Sequence, residues 1–152
     1  MNFVFRLETP LRLARHREEQ SRRALGAAFA ALERLREGLR TLENELSEEI
    51  HSQSLPRTGD IWIQGQNLFL EWAQGQHAAI ARSREACREA GKVVEAARVD
   101  LVEKRRAVQV LERLRERRLA QWKLELSRKE LAESSDVAGR RWMARQRILA
   151  GS

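Results

Sequence analysis

From Leu11 onward the chain repeats apolar residues every seven positions. Leu11, Glu18, Leu25, Leu32, Leu39 and Leu46 fall at one phase. Ala14, Ser21, Ala28, Leu35, Leu42 and Glu49 fall three residues after each. A seven-residue step with a companion at three is the signature of a helix with a narrow seam for one partner helix. Thr9-Pro10 reads as its start: Thr accepts a backbone hydrogen bond as a cap, and Pro gives up an N–H that has no partner in the first turn anyway. In HSQSLPRTGDIW, Pro56 and Gly59 break the pattern, and Thr58 or Asp60 can cap the next helix. Ile80, Cys87, Val94, Leu101 and Val108 then resume the seven-residue step, with Ala90, Ala97 and Leu111 in the companion phase.

Two seams, one of Leu and one of smaller residues, predict an all-α fold: an elongated antiparallel two-helix coiled coil, an α-hairpin with a longer second helix. The expected layout is a single coiled-coil domain over residues 1–152. Helix 1 covers about 9–51, an irregular or short-helical tip about 52–78, and helix 2 about 79–133, with its continuation to 148 left open. Gly65, Gly75 and Gly91 are weak points in the second helix, and Ser134, Ser135 and Gly139 weaken its end. Trp62, Trp72, Leu68 and Phe69 are read as packing core at the tip. At about 1.5 Å per residue the two helices would span roughly 65 Å and more than about 105 Å, so the second overhangs the first. A hinge near residue 56 pairs Leu11 with the region of Leu101; one near residue 68 pairs it with Trp122 to Lys129. In either case both chain ends meet at one end of a rod.

Composition agrees with this reading. Charged residues make up 34% of the 152 residues, Tyr is absent and Pro occurs twice. The lone Cys87 has no intrachain disulfide partner, and His16, His51 and His77 lack the spacing to join it as metal ligands. At a seam position Cys87 reads as an inert small hydrophobe. No run approaches the roughly 18 apolar residues of a membrane span. The expectation is a soluble cytoplasmic protein. No glycine-rich phosphate loop and no nucleophile with a base partner is present, so neither catalysis nor a cofactor or metal is expected.

Charge changes the picture more. The net charge is +7, but residues 1–50 hold nine basic and nine acidic side chains and residues 51–103 six and seven. Residues 104–152 hold fourteen and six. All the excess therefore lies in the last third. On a helical wheel Ala107, Val108, Val110, Leu111, Leu114, Leu119, Trp122 and Leu126 cover about half the circumference. Arg115, Arg118 and Lys129 fall inside that arc. Burying such charges without partners costs several kcal/mol each, so the face is open or closed by something acidic. Three readings stand: a solvated helix whose arginine stems lie over the leucines, a nucleic-acid grip, and a protein-docking face.

VQVLERLRERRLAQWK, residues 108–123, resembles the C-terminal helix of the flagellar export protein family FliJ. FVFRLETPLRLARHREEQ resembles that family's opening, with Phe5, Arg6, Leu7, Leu11 and Leu13 in place. DVAGRRW, with Asp136, Val137, Ala138, Arg140, Arg141 and Trp142, resembles its close. The resemblance spans nearly the whole chain but is slight from Ser52 to Gln76. It implies a non-enzymatic central stalk and adaptor of the type III export apparatus. Its implied partners are the export ATPase ring, the cytoplasmic part of the export gate and export chaperones, at the inner membrane without insertion. The residues it marks for partner binding are Phe5, Arg6, Leu7, Leu111, Leu114, Arg115, Arg117, Arg118, Trp122, Arg140 and Arg141. Alternatives are a stalk protein of a virulence type III secretion system, a nucleic-acid-binding coiled coil, and a homo-oligomeric scaffold.

Overall fold

The computed structural model describes residues 2–53 and 60–151, with side chains described for 2–53 and 64–151. Two α-helices make up the fold: α1, Glu8–Gln53, and α2, Asp60–Ala150. No strand is present among the described residues. The expected break at Pro56 and Gly59, the capping side chains of Thr58 and Asp60, and the side chain of Trp62 lie outside the described residues.

The helix start falls slightly earlier than Thr9-Pro10. The Glu8 N–H donates to the Phe5 carbonyl (3.2 Å) and the Leu11 N–H to that of Leu7 (3.0 Å), which places Thr9 inside the first turn. Pro10 is still among the first four residues, whose N–H groups have no helical acceptor, so it costs nothing there. Glu8 in this turn faces the positive end of the helix dipole.

The second helix departs from expectation at its start, and at its end it takes the longer course that the sequence left open. It begins at Asp60, not 79, and passes without interruption through Gly65, Gly75 and Gly91. It also passes Ser134, Ser135 and Gly139 and ends at Ala150. Each weak helix former costs up to about 1 kcal/mol, and strong formers on either side carry the helix across it. Among the described residues there is no separate tip helix. The tip is less of a core than its sequence implied: Leu68 is 68% exposed and Trp72 38% exposed, with Phe69 half-buried and its ring 6.0 Å from that of Trp72. Phe69 and Trp72 are three apart on one helix face, and they line a shallow groove with Glu49 and Gln53 of α1.

The chain divides into two compact units. His16–Arg105 form one, in which Leu32, Leu46, Ile80, Val94 and Leu101 are buried and Leu25, Leu35, Leu39, Leu42, Ala90 and Ala97 are half-buried. These are the two heptad phases read from the sequence. Polar pairs across this seam run antiparallel: Ser21 with Asp100, Glu43 with Arg84, Glu45 with Gln76. Met1–Arg15 and Arg106–Ser152 form the other unit. Its core is Phe5, Leu11 and Val108, with Phe3, Ala14, Leu111 and Leu114 packed against it. Leu11 thus meets Val108 and its neighbours, between the two partners that the alternative hinges implied.

Candidate partner-binding surface

All eleven residues marked for partner binding lie in the unit formed by the chain's two terminal segments. They divide by what they touch. Phe5 is 8% exposed and belongs to the core with Leu11 and Val108; Leu111 and Leu114 pack on that core. Those three stabilise the unit. Ahead of Glu8 the extended segment from Asn2 to Phe5 carries Phe3 onto α2, where its ring lies 6.0 Å from Trp122, tilted by 53°. A tilted aromatic pair at this separation contributes roughly 0.5–1.5 kcal/mol beyond the area it buries.

The N-terminal segment therefore covers part of the α2 face whose arginines argued against a sealed seam. The acidic closure expected there comes in part from the chain itself: Arg115 Nε lies 3.4 Å from Glu8 Oε2. Both groups are more than a third exposed, so the pair is screened and contributes under about 1 kcal/mol. Arg15 meets Glu112 at 3.2 Å in the same way. The apolar arc is narrower than the wheel implied, because Val110 is 63% exposed and Ala107 is exposed as well.

What remains open is a groove of about 570 Å³ between the N-terminal segment and α2. Phe3, Val4, Phe5, Arg6, Leu7, Leu114, Arg118, Gln121, Trp122 and Glu125 line it. Arg6 and Leu7 sit at its rim, and Arg118 and Trp122 form its α2 wall. Beyond it every side chain from Ser127 to Ile148 is exposed, including Leu131, Trp142, Met143 and Ile148. Arg140 and Arg141 stand on this stretch, and Arg141 shares a shallow surface with Glu130, Glu133, Val137, Trp142 and Arg145. Among the described residues, Arg6, Arg117, Arg118, Arg140 and Arg141 form no ion pair. Unpaired guanidinium groups beside exposed Trp and aliphatic side chains are the composition of a protein-binding patch.

Sequence reasoning missed the part played by Phe3 and Val4. The signal was present, since Phe3, Val4 and Phe5 are the one apolar run ahead of the helix. Only the packing shows that they return to α2. No group of three His, Cys, Asp or Glu residues able to hold a metal occurs among the described residues, and no described helix is long and apolar enough to cross a membrane.

The fold and surface together define an α-helical hairpin protein whose terminal segments carry a basic, partly apolar surface. Residues 3–147 match the family described as Flagellar FliJ protein, and the chain belongs to that family, whose members are components of the flagellar protein-export apparatus. The match takes in all eleven residues above. No curated protein matches the chain.

Proposed function

We propose that the protein is a non-enzymatic central stalk and adaptor of the flagellar type III export apparatus. Its basic terminal unit binds the export ATPase ring and links it to the cytoplasmic part of the export gate, and it also engages export chaperones. It acts at the cytoplasmic side of the inner membrane, associated peripherally and without inserting. Family membership supplies the apparatus. The observation that carries the binding role is the set of unpaired arginines: Arg117 and Arg118 by the groove, and Arg140 and Arg141 beside exposed Trp142 on a fully exposed stretch of α2. Such residues contribute binding energy only when a partner desolvates them against acidic and apolar groups.

Nucleic acid is the weaker partner for this surface. The arginines alternate with Leu, Trp and Val instead of forming one basic stripe that tracks a phosphate backbone. The test is charge reversal at Arg117, Arg118, Arg140 and Arg141 to Glu, with co-purification of the export ATPase and swimming motility as readouts. Loss of at least tenfold in binding, with helicity unchanged by circular dichroism, is expected. Full binding and full motility in this variant would discard the proposal.

A further inference from the structure

Among the described residues, Ser21 is the polar side chain that is buried; the other buried residues of the unit His16–Arg105 are apolar. Ser21, only 5% exposed, donates from Oγ to Asp100 Oδ2 at 2.6 Å. Polar groups extend this level on both helices: Lys104 Nζ lies 3.7 Å from Asp100, and Arg105 lies 3.7 Å from Glu18, which also takes Arg22 at 3.1 Å. We propose that this Ser21–Asp100 layer sets the register of the hairpin.

The reason lies in the degeneracy of the seven-residue repeat. Both helices place apolar residues at the same step, so sliding α2 by one heptad again sets Ile, Val, Leu or Cys against Leu. The hydrophobic pattern alone therefore discriminates weakly between registers. The polar layer does not repeat. A one-heptad slip places Ser21 opposite Val94 and Asp100 opposite Ala14, so both polar groups lose their partner, the hydroxyl inside the seam. The opposite slip separates them equally. A single polar position that fixes register at some expense of stability is an established device of coiled coils. The connection at the fold-back does not forbid the slip, because moving the turn by half a heptad requires winding or unwinding only about one helical turn at the start of α2.

Register matters to the binding surface, since it decides which residues of α2 meet the N-terminal segment: Trp122 at Phe3, Arg115 at Glu8. A slipped hairpin would offer a different set.

The test uses the full chain in a Cys87→Ala background, with spin labels on cysteines introduced by Arg34→Cys and Gln74→Cys, both exposed and well separated along the pair. Pulsed dipolar spectroscopy on the otherwise unchanged protein should give one distance. Ser21→Ala with Asp100→Leu, apolar groups that an apolar seam accepts, should keep the helicity and add a second distance displaced by up to about 10 Å, the rise of seven residues. The exchanged pair, Ser21→Asp with Asp100→Ser, rebuilds the hydrogen bond and should restore the single distance. One unchanged distance in the Ala/Leu variant, or a second distance persisting in the exchanged pair, would overturn the assignment.

Discussion

Leu11 is wholly buried while Leu13, two positions on, is 48% exposed, although both are leucines on the same helix. The difference is phase: Leu11 lies on the heptad seam and packs on Phe5 and Val108. Leu11→Ala should lower unfolding free energy by about 2–5 kcal/mol in chemical denaturation, because it removes buried methyl groups and leaves a cavity. Glu8→Gln removes a screened ion pair with Arg115 and the negative charge at the helix N-terminus and should cost roughly 1 kcal/mol, a cost that shrinks at high salt. Gly38 makes the opposite case. A Cβ there meets nothing within 4 Å, so Gly38→Ala should raise stability by roughly 0.8–1 kcal/mol through helix propensity alone.

At the scale of elements, α1 was legible because its leucines mark the seam from Leu25 to Leu46 and Thr9-Pro10 stands in its first turn. The beginning of α2 was not. Gly65 and Gly75 look like breaks in a linear reading, yet a helix tolerates isolated glycines when its neighbours are strong formers. The exposed end of α2 was left open for the same reason, with Ser134, Ser135 and Gly139 in sequence. Its helical backbone lacks the burial that protects the seam. Amide hydrogen exchange should therefore be fast from Ser127 to Ile148 and slowest around Val94 to Leu111, where the buried Val94, Leu101 and Val108 lie. Comparable protection in the two stretches of the isolated protein would contradict that burial pattern.

At the scale of the whole molecule, stability and the proposed binding by the exposed arginines draw on different residues. Stability comes from the paired seams, and the unpaired arginines add nothing to it. Truncation after Glu130 removes exposed side chains only and should leave the unfolding free energy within about 0.5 kcal/mol, while abolishing co-purification with export partners. Of the candidate surface, the basic excess in the last third and the position of Arg118 and Trp122 on one face were readable from periodicity and charge. The roles of Phe5, Leu111 and Leu114 as core were not separable from Arg117 and Arg118 as exposed groups, because the wheel shows which residues share a face but not what covers it.

By itself, then, the sequence determined the helical class, the two seams and the concentration of positive charge, since all three follow from spacing and composition along one chain. Only the tertiary structure decided that Phe3 and Phe5 return to cover part of α2, that Glu8 answers Arg115, and that Leu11 meets Val108 instead of a residue one heptad away. Those outcomes depend on register, and a repeat of seven residues is nearly silent about register. The polar exception at Ser21 was visible in the heptad. Its partner, Asp100, could be known only once the two helices were laid against each other.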